Sequence, residues 1–313
     1  MDEMGGVRLS PARRFARLGV FALAVVGALA GVGVLWIHLA GDPLADVRAY
    51  YDAAARLNAG QPLYPVGQDV NGPTAYFYPP LFAILFRPLA LLPFEVAAAT
   101  WEGIVVAAFV ATLWLLGLRR RETWIAVGIL GLPIAWTLAV AQAHSVVTLL
   151  LTIGSPFGIA LAANLKLFPL LAGVWFVGRR DWHRLSLLAA WTAAFLAIQV
   201  VLEPQATLDF LEALRPQWVG DVRNLSPYAL SPALWAVLLV GGVLLALRLA
   251  RTRWGWAAAV ALATLSPPRL LIYMLVALLA ALREPTGRRP SATGLSGDPV
   301  ARSADEGEDG DAT

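Results

Sequence analysis

The 313-residue sequence contains no cysteine. A disulfide framework and any thiolate-ligated metal site are therefore excluded, and the redox compartment leaves no mark on the chain. The three histidines, His38, His144 and His183, are scattered rather than clustered, so no metal centre is expected and no cofactor is called for. Lysine occurs once, at Lys166. Charge as a whole is scarce: 14% of residues are charged and 58% are hydrophobic, where an ordinary soluble domain carries about 25% charged residues. With a mean hydropathy of +0.66, the chain belongs in a lipid bilayer. Its formal charge is +3, and nearly all the positive charge is arginine at the ends of apolar runs. That placement is the positive-inside pattern of membrane proteins, so nucleic acid is not an expected partner. No internal repeat of fixed period is present.

What the sequence does contain is a succession of apolar runs separated by polar loops. Residues 1–17 form a basic N-terminus with Arg8, Arg13, Arg14 and Arg17, expected on the cytoplasmic side. The run 18–39 is too long for a signal-peptide core and lacks a small-residue cleavage site, so it reads as a retained first helix. The membrane domain extends over 18–283. Its first extracytoplasmic loop covers about 40–95, and within it 81–92 is expected along the outer interface, because twelve residues span only about 18 Å of a core about 30 Å thick. Spans follow at 96–118, ending in Arg119-Arg120-Arg121, and at about 124–141. Shorter or broken helices then run to Gly178, and another span covers 185–202. A second extracytoplasmic loop covers about 203–229, and 230–249, 254–265 and 270–282 complete the apolar segments. Residues 284–313 are rich in Gly, Pro, Ser and Arg and finally acidic, with no apolar face to bury; a disordered cytoplasmic tail is expected. The fold class is all-α, a polytopic transmembrane bundle of about eight to ten hydrophobic segments with both termini cytoplasmic. The bias toward Ala, Leu and Arg suggests a bacterial plasma membrane.

The stretch ADVRAYYDAAARLNAGQPLY, residues 45–64, places carboxylates, guanidinium groups and tyrosines directly after the first apolar run. Ionisable groups beside a bilayer are costly and are kept near water, a partner or a substrate. Asp46 therefore reads in two ways: as the N-cap of the helix that follows it, or as a functional carboxylate at the external mouth of the bundle. Lys166 reads as a lysine that snorkels to an interface or as a charge aimed at an anion. Arg269, in SPPRLL, is a helix-end anchor or a second such charge, and Arg223 a third candidate. Tyr76 and Tyr78, ahead of Pro79-Pro80, fit an interfacial aromatic belt or the wall of a sugar site. Glu102, within a span, should face the bundle interior. His144 reads as a buried hydrogen-bonding residue. Asn224-Leu225-Ser226 matches a glycosylation sequon, which has no consequence in a bacterium.

The order DVRAYYDAA, GQPLY, YFYPPL and RPLALLP, followed by Ala141-Gln142-Ala143-His144, Leu165-Lys166-Leu167-Phe168-Pro169, Gly178-Arg179-Arg180-Asp181-Trp182 and Ser266-Pro267, resembles glycosyltransferase family 87, a polyprenol-phosphate-mannose-dependent group within the GT-C membrane superfamily. The resemblance runs from about residue 40 to 283. AQAH departs from the family's Gly-Gln-x-Asn, and the chain is shorter between Gln142 and Lys166. The resemblance implies a GT-C-type bundle with an extracytoplasmic site, transferring a mannosyl or other hexosyl group with inversion from a polyprenyl-phosphate sugar donor to a glycolipid or glycan acceptor. It implies Asp46 as general base, with Lys166 and Gln142 standing at the family's motif positions; Arg269, Tyr76 and Tyr78 join Lys166 and Gln142 as candidate substrate-binding residues on the reading of the residues themselves, and the scheme needs no metal.

Two other classes are compatible with the same residues. A transporter or flippase of a lipid-linked precursor commonly carries repeats with interrupted helices in both halves, whereas here the aspartate-bearing loop has no counterpart in the second half. A catalytically inactive relative acting as a scaffold would share every motif and be separated only by an activity measurement.

Overall fold

The computed structural model describes residues 11–41, 44–65, 75–213, 221 and 223–285, and among these there is no strand. The N-terminal residues up to 10 and those beyond 285, expected as cytoplasmic segments, lie outside the described residues. In chain order the helices are α1 (Pro11–Gly41), α2 (Ala45–Asn58), α3 (Pro80–Phe86), α4 (Phe94–Leu116), α5 (Arg121–Ile129), α6 (Gly131–Ala139), α7 (His144–Ile153), α8 (Pro156–Leu165), α9 (Val174–Arg179), α10 (Trp182–Leu202), α11 (Pro204–Ala213), α12 (Pro232–Leu249) and α13 (Gly255–Leu265). Tighter 3₁₀ segments occupy Leu89–Leu91, Phe168–Gly173, Pro227–Ala229 and Ile272–Leu282.

Among the described residues four helices are long and apolar enough to cross a bilayer: α1 over Phe15–Gly41, α4, α10 and α12. Together α5 and α6 make a fifth, bent by 70°. The sequence places one outward helix over about 124–141, in a stretch that Pro133 interrupts; the break comes from Pro133, which has no N–H for the Ile129 carbonyl and whose ring would collide with it. Hydrogen bonding runs up to the break, with Leu130 N donating to Ala126 O, and resumes beyond it, with Ile134 N donating to Leu130 O, both at 2.9 Å.

That bend is where α1 docks. Gly27 and Gly31 of α1 meet Gly128 and Gly131 backbone to backbone, and a Cβ on Gly131 would come within 2.5 Å of the Gly27 carbonyl oxygen. Close approach of this kind, through small residues four apart, is how helices associate where lipid gives no hydrophobic incentive. The rest of α1 and α12 shows large apolar side chains outward, among them Phe21, Leu29, Trp36, Val237 and Leu244, as lipid-facing helices do.

The short apolar helices α7, α8 and α13 and the 3₁₀ segment Ile272–Leu282 fill the interior, with Ile159, Ala160, Val260 and Leu279 fully buried. Their ends are set by local chemistry. Gly154, at φ +62°, stops α7, and Ser155 caps α8 by accepting from Gly158 N at 3.0 Å. The residue after α8, Lys166, turns extended ahead of Pro169, which cannot continue a helix.

The first long polar loop is packed into the bundle rather than laid on its surface. One face of α2, including Val47, Ala49, Tyr50 and Ala53, is fully buried. Of residues 81–92, expected along the outer interface, Leu81, Phe82, Ala83 and Phe86 of α3 are buried in the bundle, whereas Leu91 is exposed. The reason is aromatic packing, with Tyr50, Phe82, Phe86 and Trp101 in mutual contact at centroid separations of 4.6–6.1 Å. Arg87, at the end of α3, bonds Asn58 Oδ1 and Glu203 Oε1, both at 2.9 Å, tying the loop to α10.

Candidate active site

Asp46 does not cap α2. Leu44 holds the cap position in left-handed conformation, φ +63°, with no side-chain capping bond. Main-chain bonds replace the cap: Leu44 N donates to Ala139 O and Asp46 N to Val140 O, both at 3.2 Å. The start of α2 is thereby fastened to the end of α6. Asp46 falls in the first turn of α2, near the positive end of the helix dipole, and its residue lines the cavity described below. Ala141, the next residue of this turn, is itself left-handed at φ +55° and gives its carbonyl to Trp101 Nε1 at 2.8 Å.

A layer of tyrosines backs the carboxylate. Tyr50 donates to Gln142 Oε1 at 2.5 Å and accepts from Ala143 N at 3.3 Å. Tyr78 stands edge-on to Tyr50 at 5.3 Å and to Tyr76 at 5.2 Å. The backbone beneath it is fixed by Tyr64, whose hydroxyl donates to Tyr78 O at 2.6 Å, and by Tyr76, whose hydroxyl donates to Pro79 O at 3.1 Å. Tyr76 is fully buried and Tyr78 faces the cavity, so these rings do not form an interfacial belt. Hydropathy cannot separate the two placements, because a tyrosine has the same amphipathic character in both.

Positive charge converges from two other directions. Lys166, in the extended residue after α8, places Nζ 3.7 Å from the centre of the Tyr78 ring and 5.8 Å from that of Tyr273. It therefore faces inward between two aromatic rings rather than snorkelling to an interface. The charges of Asp46 and Arg269 both act on it. Arg269 lies on the turn after α13, its Nε 3.6 Å from Asp221 Oδ2, while Arg223 Nε lies 3.6 Å from the other oxygen of the same carboxylate.

Asn224 holds that turn in place. Its Nδ2 donates to Pro268 O at 2.8 Å, and its Oδ1 accepts from Leu270 N at 2.8 Å and Ser226 N at 2.9 Å. Leu225 N adds a bond to Leu270 O at 2.8 Å. As a sequon Asn224 has no consequence; in the fold it clamps the second polar loop to the residues on either side of Arg269. No sequence signal links positions 224 and 268–270.

Asp46, Tyr78, Lys166, Arg223 and Arg269 all line one cavity of about 480 Å³, within the range of small-molecule sites. The remaining lining is largely apolar and includes Val147, Leu151, Trp235, Met274 and Ala277. Gln142 and Tyr76 sit behind it, fully buried, and Glu102 is only partly buried on α4. Among the described residues no group of three His, Asp or Glu side chains could hold a metal ion. The arrangement can accept a proton at a carboxylate, hold an anion at two or three cations and cover an apolar chain with the rest of its wall.

The family model for glycosyltransferase family 87 matches residues 76–294. The chain is similar to a polyprenol-phosphate-mannose-dependent alpha-(1-2)-phosphatidylinositol pentamannoside mannosyltransferase of Mycolicibacterium smegmatis, 30% identical over 251 residues that cover 74% of this chain and 60% of that one. It is also similar to a protein of the same name from Mycobacterium tuberculosis, 26% identical over 246 residues that cover 71% of this chain and 55% of that one. The chain thus spans somewhat over half the length of these relatives. No solved structure matches it.

Proposed function

The chain belongs to glycosyltransferase family 87, and on that premise we propose that it transfers a mannosyl group from a polyprenyl-phosphate donor to a glycolipid acceptor on the extracytoplasmic side of the membrane. The donor and the acceptor class are those in the names of its relatives, whose acceptor is a phosphatidylinositol mannoside. The observation that carries the reading is the meeting of the Asp46 carboxylate with the Lys166 and Arg269 cations in one largely apolar cavity. A lipid phosphate sugar has the matching parts in sequence: an apolar chain, a phosphate and an electrophilic carbon.

The chemistry follows from those parts. The acceptor hydroxyl attacks the anomeric carbon from the face opposite the phosphate, so the configuration inverts. Asp46 takes the hydroxyl proton as the new carbon–oxygen bond forms. The bond between the anomeric carbon and the phosphate oxygen breaks, and the phosphate departs with the electron pair. Lys166 and Arg269 stabilise the charge that accumulates there, an electrostatic role worth more in a water-poor apolar wall than in bulk water. Asp221, between Arg223 and Arg269, keeps the two guanidinium groups from repelling each other before the phosphate arrives.

The test is transfer from radiolabelled polyprenyl-phosphate mannose to endogenous glycolipid, in membranes containing equal amounts of wild type or Asp46→Asn. Transfer by wild type and a loss of about a thousandfold in the variant is the expected result, the scale set by removal of a general base. Equal transfer by both would remove Asp46 from the reaction, and transfer by neither would point to the scaffold reading.

A further inference from the structure

Two polar side chains in the cavity wall have no role in the scheme above. His144, at the start of α7, is 6% exposed and Thr264, in the last turn of α13, is 5% exposed. Both line the cavity. His144 Nδ1 and Thr264 Oγ1 are buried without a hydrogen-bond partner among the described residues. Each is held firmly from behind. The imidazole packs against the Tyr273 ring at 5.4 Å, and α7 and α13 both pack on the Ile272–Leu282 segment. Buried polar atoms in a native wall are nearly always paired, so two of them on one cavity mark a place where the partner is a ligand.

The chemistry of that ligand can be narrowed. A neutral imidazole offers one donor and one acceptor, and a threonine hydroxyl does both. Groups that donate and accept match hydroxyls. An ionised phosphate only accepts and already has Lys166 and Arg269; a polyprenyl chain does neither. Position narrows it further: the Tyr273 ring stands 5.4 Å from the His144 ring and 5.8 Å from Lys166 Nζ, so the unpaired imidazole and the cation assigned to the phosphate flank the same ring in one cavity wall. The hexose of the donor is bonded to that phosphate and cannot lie far from it.

We infer that His144 and Thr264 form the subsite for the hydroxyls of the transferred hexose, and that they select the donor sugar. The inference rests on the lipid-donor reading above. A site built to hydrogen-bond a hydroxyl discriminates strongly, because a ligand lacking it leaves buried groups unpaired.

The experiment measures binding of two probes to the detergent-solubilised full chain by quenching of tryptophan fluorescence, Trp235 being part of the cavity wall. One probe is a polyprenyl phosphate, the other the same lipid carrying mannose. Wild type should bind the mannosylated lipid about tenfold or more tighter than the bare one. His144→Phe, which keeps a ring against Tyr273, and Thr264→Val, which keeps the shape, should each reduce that preference to about threefold or less while leaving affinity for the bare lipid unchanged. Unchanged bare-lipid binding also shows that the variants are folded. Equal loss of both probes, or an undiminished preference, overturns the subsite. So does unaltered donor binding with a raised KM for acceptor, which would assign these groups to the acceptor. If wild type binds both lipids equally, the subsite fails and the donor reading stands; if it binds neither, the donor reading fails and takes the subsite with it.

Discussion

The Lys166 ammonium lies 3.7 Å from the centre of the Tyr78 ring, on the face of an aromatic side chain whose backbone carbonyl accepts a hydrogen bond from the Tyr64 hydroxyl. Cation–π contact holds a charge without neutralising it, which a carboxylate partner would do. Lys166 can therefore be kept in place and still be attractive to a phosphate.

Removing the ring should weaken the donor site. Tyr78→Ala is expected to raise the KM for lipid-linked mannose about tenfold, the loss of a desolvated cation–π contact of about 1 to 2 kcal/mol, with a smaller change in kcat. Tyr78→Phe keeps the ring and should stay within about threefold of wild type. Steady-state transfer with varied donor separates the two, and an equal loss in both would assign the effect to the hydroxyl.

Asn224 should act through Arg269. Asn224→Ala removes the acceptor for Leu270 N and Ser226 N and the donor to Pro268 O, at a cost of about 2 kcal/mol in stability. The donor KM should rise, and Asn224→Asp, which keeps the accepting oxygen, should recover part of both. Thermal unfolding and donor titration on the same preparations check this.

Ala141 carries backbone strain that glycine would relieve. At φ +55° an alanine pays roughly 1 kcal/mol that glycine does not, and the site is fully buried. Ala141→Gly should raise the unfolding temperature, and Ala141→Val should lower it sharply, as read by thermal shift in detergent.

Asp52, on α2, titrates in the unfavourable sense for a folded protein. Partial burial raises its pKa, opposed by the charges of Arg48 and Arg56. A carboxyl with a raised folded pKa favours the fold while protonated, and that contribution disappears as pH climbs through the folded value. Asp52→Asn should therefore raise the unfolding temperature at pH 7 and leave it unchanged below about pH 4. A gain of the same size at both pH values would mean that burial of the charge is not the cause.

The cost of charge near lipid made Asp46, Lys166 and Arg269 legible in the sequence, since each is an ionisable residue where composition offers few. Their convergence was not legible from spacing, because the three come from elements far apart in the chain. Asn224 was invisible for the same reason: its partners are 44 to 46 residues away. The broken helices were partly readable, with Pro133, Gly154 and Pro169 marking interruptions in apolar runs. Burial of α3 escaped because the length of an apolar segment says whether it can cross a membrane and nothing about whether aromatic neighbours will cover it. The N-cap reading of Asp46 failed by two positions: the carbonyls of Ala139 and Val140 bind the start of α2 and Leu44 takes the cap.

Those two carbonyls have a consequence for how this sequence can vary. The bonds that seat Asp46 run between main-chain atoms, Leu44 N to Ala139 O and Asp46 N to Val140 O, and every non-proline residue supplies the same atoms. Residues 44, 139 and 140 can therefore drift among side chains that fit without erasing the attachment. The address of the carboxylate is written in peptide groups, so side chains around it can change while Asp46 still arrives at the same place.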